Sequence, residues 1–241
     1  MEHLIYFFLL AFLAEILGTL GGFGSSVFFI PIATYFLDFQ SALGITAIFH
    51  VSSNLSKIAL FRHGFDKKII FTFGIPAVVA VIIGAFLSKY VNVKTLEIGL
   101  AFFLILTSIL LLSFNKFKLE ANARNSITGG LLSGLVAGLV GTGGAIRGMV
   151  LAGYDLGTEV FIATSAVIDL GIDLGRSGVY IFNGYVHQDD LFLIPILFVI
   201  SFIGTYVGKL ILKKFSGKQF RTMVLFLILI TGLFTLYKYF G

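Results

Sequence analysis

Six ionisable residues stand inside apolar stretches of the chain: Glu15, Lys57, Arg147, Asp169, Asp173 and Arg176. Charges in hydrocarbon are costly, so such groups are functional candidates by default. Asp169, Asp173 and Arg176 follow one another at i, i+4 and i+7, which puts them on one face of a helix. Asp173 and Arg176 either neutralise each other as a structural pair or line a polar interior. Lys57, one turn from the end of its segment, reads as snorkelling toward the cytoplasmic surface. Glu15 has no basic neighbour in its own segment, so it is either protonated by desolvation or paired across the bundle. Arg147 falls in the first turn of a helix, where a cation opposes the dipole and calls for an anion: Asp169, Asp173 or a bound substrate. His50 reads as a satisfied structural histidine rather than a relay. The six groups are three acids and three bases, so a bound anion is favoured by protonating one acid. Glu15, Asp169 and Asp173 are therefore the proton-coupling candidates. Nothing has metal-ligand spacing or a phosphate-loop motif, and no cofactor or metal is expected.

Two glycine-rich interruptions supply a second kind of chemistry. One is Gly21-Gly22-Phe23-Gly24-Ser25-Ser26 and the other Gly141-Thr142-Gly143-Gly144, each inside otherwise apolar sequence. A half-helix that begins at such a break directs unpaired N–H groups and a positive dipole end into the interior, where an anion binds. The half-helices are expected to start at about Ser25-Ser26 and Ala145-Ile146. The substrate-binding candidates are thus Gly22, Gly24, Ser25, Ser26, Gly141, Thr142, Gly143 and Gly144, with Arg147 and Arg176 as cations. The competing reading is that these small residues merely let helices cross closely.

The elements that position these groups follow from composition. Hydrophobic residues make up 58% of the 241 positions and charged residues 12%, about half the roughly 25% charged share of a soluble domain. Apolar segments run over 4–37, 43–60, 69–90, 95–114, 127–154, 159–182, 190–212 and 219–240. Without the alternation of barrel strands, helices are the spanning form. The start lacks the basic region and cleavage site of a secretory signal and is counted as part of the mature fold. Cysteine is absent, which removes disulfide and thiol chemistry, and the net charge of +5 is read as basic loops on one membrane face rather than nucleic-acid binding.

A shift of 120 residues pairs Gly18 with Gly138, Gly21 with Gly141, Gly24 with Gly144, Gly64 with Gly184, Gly84 with Gly204, Lys89 with Lys209 and Lys94 with Lys214. Two repeats, 1–114 and 126–241, joined by a cytoplasmic linker 115–125, account for the coincidence. If each broken segment dips in and returns, every repeat keeps three full crossings and the repeats are inverted. Arg62, Lys67, Lys68, Lys116, Lys118, Arg124, Lys209, Lys213, Lys214, Lys218 and Arg221 then share the cytoplasmic face. Lys89, Lys94, Lys238, Glu2 and the loop His187 to Asp190 lie outside, as the positive-inside rule requires. The expected fold class is an all-α polytopic membrane protein of two inverted repeats, each a glycine-broken re-entrant hairpin plus three transmembrane helices, against the alternative of eight plain crossings.

The motifs Gly18 to Ser26 followed by Pro31, Gly138 to Gly144, and Arg62-His63-Gly64 resemble the TauE/SafE sulfite and sulfonate exporter family, small bacterial membrane proteins, over essentially the whole chain. Phe23 interrupts the family's first glycine run, and the proline after the break has no counterpart at Leu151. The resemblance implies transport of a small anion, often a sulfur oxyanion or organosulfonate, across the cytoplasmic (inner) membrane. The expected function is a secondary transporter of such an anion, with proton coupling. The alternatives are an anion channel or facilitator and, with no Gly-x-Gly-Asp, His-Glu-x-x-His or serine-histidine constellation to support it, a membrane-embedded enzyme. The expected partners are the small anionic substrate and the lipid bilayer, with no nucleic acid.

Overall fold

A computed structural model describes residues 2–22, 24–61, 64–113, 119–154, 156–212 and 217–240, and all regular structure among them is helical. Phe23, Arg62, His63, Lys116, Lys118, Lys213 and Lys214 lie outside the described residues, as do the side chains of Glu2, Lys218, Arg221 and Lys238. Helix α1 (Glu2–Gly21) stops at the first glycine break, and α2 (Ser26–Ala33) follows it. Then come α3 (Phe39–Leu60), α4 (Lys67–Ile69), a π-helical turn (Ile70–Gly74), α5 (Ile75–Ser88) and α6 (Val93–Ser113). The order recurs in α7 (Ala123–Val140), the second break, α8 (Gly144–Gly153), α9 (Thr158–Phe182), α10 (Leu193–Leu212) and α11 (Gly217–Phe240). The helices end at the breaks because Gly22, Gly24 and Gly141 take φ of 71°, 83° and 83°, a left-handed backbone that side chains other than glycine resist. The register is not a uniform 120: Gly24 is left-handed, whereas its sequence partner Gly144 opens α8.

Each short helix doubles back along the long one before it. Phe7 of α1 packs on Phe29 of α2 and on Phe36 beyond it. The Ser126 hydroxyl of α7 meets the Tyr154 hydroxyl just past α8, at 3.0 Å. His3, Phe36, Leu37, Asp190 and Leu193 accordingly gather at one end of the bundle. At the other end Lys209 sits over the Phe61 ring, and the Asp66 amide donates to Thr164. Asp38, Asp66 and Asn122 cap the starts of α3, α4 and α7, their side chains accepting from first-turn N–H groups.

Four helical stretches, His3–Gly21, Lys67–Ser88, Val93–Ser113 and Leu193–Leu212, are long and apolar enough to cross a membrane. Their outer faces carry bare Leu9, Leu13, Phe71, Val79, Ile83, Phe102, Leu106, Phe198 and Phe202. A continuous apolar exterior of this kind is what lipid, not water, covers.

The tightest contact is between α5 and α7, and glycine makes it. A β-carbon on Gly130, Gly134 or Gly138 of α7 lies 2.1 to 2.3 Å from the carbonyl oxygens of Phe73, Ala77 or Val81. With no solvent-driven hydrophobic force between helices in lipid, such backbone proximity is how they hold together. Gly134→Ala is expected to destabilise the protein by about 1 to 3 kcal/mol through overpacking, whereas Gly178→Ala, which meets nothing within 4 Å, is neutral or stabilising. Thermal unfolding of the two variants in detergent checks the contrast, and equal midpoints refute the packing account.

Candidate functional site

The two glycine breaks meet. Ser26, the first residue of α2, donates its hydroxyl to the Thr142 hydroxyl of the second break, at 3.0 Å. Unlike the starts of α3, α4 and α7, those of α2 and α8 have no side-chain cap. Ser25 occupies the capping position of α2, yet its hydroxyl is used elsewhere. The expected start of α8 at Ala145-Ile146 is corrected to Gly144, because the left-handed Gly141 and the turn at Gly143 complete the reversal sooner.

The six interior charges form three pairs. Glu15, completely buried, accepts from the Lys57 ammonium at 3.1 Å and from the Ser25, Ser53 and Thr205 hydroxyls at 2.5, 2.6 and 2.9 Å. Of the two readings of Glu15, pairing across the bundle is the observed one. The expectation that Lys57 snorkels is overturned: its ammonium turns inward, where Ser53 and Glu15 give it partners. Arg147, 2% exposed, pairs with Asp169. Asp173 accepts from Arg176 Nε at 2.7 Å and from Asn54 Nδ2 at 2.6 Å, and Arg176 also donates to the Gly141 carbonyl of the second break. Asp173 and Arg176 are therefore a pair and also wall the interior.

Two small spaces flank Arg147 and Asp169. One is lined by Ser26, Gly141, Gly143, Gly144, Arg176 and Asp173 together with His50 and Ser133. The other is lined by Gly22, Gly24, Lys57, Asn54 and Ser165. Among the described side chains, the buried Arg147 Nε and Ser165 hydroxyl have no hydrogen-bond partner. Arg147, which carries the unpartnered Nε, lines both spaces beside two helix starts that have no side-chain cap. Of the expected residues, Ser25 and Glu15 stand behind the spaces rather than on them, and Thr142 enters through its bond to Ser26.

His50, Asn54 and Ser165 are additions. The signal for two of them is a repeat: His50, Asn54 and Lys57 have the same i, i+4, i+7 spacing as Asp169, Asp173 and Arg176. The offset, set by the starts of α3 at Phe39 and α9 at Thr158, is one residue short of the shift that aligns the glycines. The two triplets face each other where Asn54 meets Asp173.

Lipid-facing apolar helices around a polar centre at two broken helices are the layout of a multi-pass membrane transporter. The chain belongs to the sulfite exporter TauE/SafE family, whose sequence model matches residues 7–235. It is also similar to a probable membrane transporter protein of Methanocaldococcus jannaschii, 27% identical over 252 aligned positions that cover 95% of this chain and 93% of that one.

Removing one member of a buried pair strands the other. Arg147→Gln is expected to cost about 3 kcal/mol of stability by leaving Asp169 uncompensated, and Asp169→Asn in the same chain is expected to recover most of it. Unfolding midpoints of the single and double variants check this. Additive losses refute the pairing account.

Proposed function

We propose that this chain is a secondary transporter of a small anion, sulfite or an organosulfonate, working with proton movement in the cytoplasmic membrane. The observation that carries the reading is the junction of two uncapped helix starts, at Ser26 and Gly144, joined by the Ser26–Thr142 hydrogen bond beside a buried arginine with an unused donor. First-turn N–H groups offer positive potential without a mobile counter-charge, and a guanidinium fork matches the oxygens of sulfite or a sulfonate. Family membership supports the anion class. Proton movement follows from the pairing: with the interior charges balanced, an incoming anion leaves a net negative charge in low dielectric unless a proton accompanies it.

Alternating access in this reading is a rocking of two inverted repeats, 1–114 and 126–241, around the breaks, with 115–125 as the cytoplasmic linker. The packing supports it. In α1 and α10, Glu15 lies beside Gly204 and Thr19 beside Gly208, so the helices run parallel; α7 runs parallel to α5 in the same manner. Exchanging the two halves swaps one pair for the other.

Flux of radiolabelled sulfite and methanesulfonate in proteoliposomes, with and without a pH gradient, tests the substrate class. Saturable counterflow is expected; conduction proportional to gradient, without counterflow, makes the protein a channel. Arg147→Lys is expected to keep flux but lose selectivity between the two anions, because an ammonium is a point charge without the planar fork. Since the chain has no cysteine, single cysteines at Gln188 and Lys94 are expected to react with an impermeant thiol reagent in intact cells, and those at Phe65 and Lys218 are not. Labelling of Lys218 from outside with Phe65 protected returns eight plain crossings.

A further inference from the structure

Between the two helix breaks, one titratable group stands outside the three ion pairs. His50 is buried on α3, its Nε2 3.0 Å from the Ser25 hydroxyl and its Nδ1 3.8 Å from Asp173 Oδ2. The protons along this line can be assigned. Ser25 has one hydroxyl hydrogen, and it goes to Glu15 Oε2 at 2.5 Å, the carboxylate that Lys57 pairs with. Were it turned to His50 instead, two oxygen lone pairs would face each other at that distance. His50 Nε2 must therefore donate to Ser25, which fixes the neutral ring as the Nε2–H tautomer. Nδ1 is then a bare acceptor, and the polar atom facing it is a carboxylate oxygen that is also an acceptor. The separation is longer than a hydrogen bond, as two acceptors require.

We propose that His50 is the proton seat of transport: Nδ1 takes up a proton, shared with Asp173 Oδ2, when an anion enters the space between the breaks. The inference rests on the anion reading above and names the group that couples to it. The charged groups facing His50 are Glu15 on α1, Lys57 on α3, Arg147 on α8, and Asp169, Asp173 and Arg176 on α9. They sum to zero, so an imidazolium alone leaves the interior at +1, an anion alone at −1, and the two together leave it neutral. Each thus raises the affinity for the other, by the same factor. The proton comes from the aqueous side to which the space is open and leaves with the anion on the opposite side, so one proton moves per monovalent anion and the step carries no net charge. The three acids do not fill this role, because protonating one of them breaks an ion pair and strands a buried base.

Two measurements test the proposal. In protein with His3, His63 and His187 replaced by asparagine, ¹⁵N-histidine NMR reads the one remaining ring. The expected result is the Nε2–H tautomer without anion, and both nitrogens protonated at the same pH with saturating methanesulfonate, an anion that does not itself carry a proton. An Nδ1–H tautomer, or a ring that stays neutral while methanesulfonate raises the unfolding temperature, overturns the proposal. In proteoliposomes His50→Gln, which keeps a donor for Ser25 but cannot be protonated, is expected to lose proton-driven methanesulfonate accumulation by about tenfold or more, and its methanesulfonate binding is expected to lose its pH dependence. The wild-type rate is expected to be unchanged by an imposed membrane potential. Retained accumulation in His50→Gln refutes the assignment. If wild-type protein moves neither sulfite nor methanesulfonate, the substrate reading fails, and the tautomer at rest still decides whether Nδ1 is the open acceptor.

Discussion

A charge in a low-dielectric interior persists only beside its opposite, and most of this structure can be read as the consequence. Glu15 draws in Lys57 and hydroxyls from α1, α2, α3 and α10. Arg147 and Asp169 tie the start of α8 to the middle of α9, while Arg176 reaches from Asp173 to the backbone of the second break. Two of the three pairs cross from one element to another, and Arg176 of the third reaches the second break, so the charges hold the breaks in place as well as making them polar. A single unpaired ion in their midst is worth several kcal/mol of penalty, which is why an arriving anion cannot be a bystander to the proton balance.

The breaks have a complementary constraint. A helix start buried without a cap leaves donors that neither lipid nor packed carbon can satisfy. The chain caps its helices with Asp38, Asp66 and Asn122 toward the ends of the bundle, but puts glycine or an otherwise engaged serine at the two central starts. Polar capacity is thereby held in reserve where the two hairpins touch.

Much of this was legible in the residues. Apolar run lengths located the helices, and the glycine runs located the breaks, because both signals are local. The candidates Ser26, Gly141, Gly143, Gly144, Arg147, Asp169, Asp173 and Arg176 converge on one space. What local reading missed depends on rotation about a helix axis. Lys57 near a helix end is an ordinary snorkelling position until the orientation of α3 turns it toward Glu15, a contact between residues far apart in sequence. His50 was hidden for a different reason. A neutral histidine in a span is unremarkable alone, and its match to Asp169 needs an offset that the glycine alignment does not supply.

The three ion pairs also bear on how the chain enters the bilayer. Glu15 finds Lys57 within the first half of the sequence; Arg147 finds Asp169, and Asp173 finds Arg176, within the second. The interior charges of the first half are therefore paired before the second half has been synthesised. The surfaces between the halves behave oppositely, because α5 meets its closest partner only when α7 emerges and α1 waits for α10. Charge neutralisation is thus an early event of biogenesis and close helix packing a late one. During synthesis the nascent first half resides in lipid with its charges quenched and its glycine-matched grooves still open.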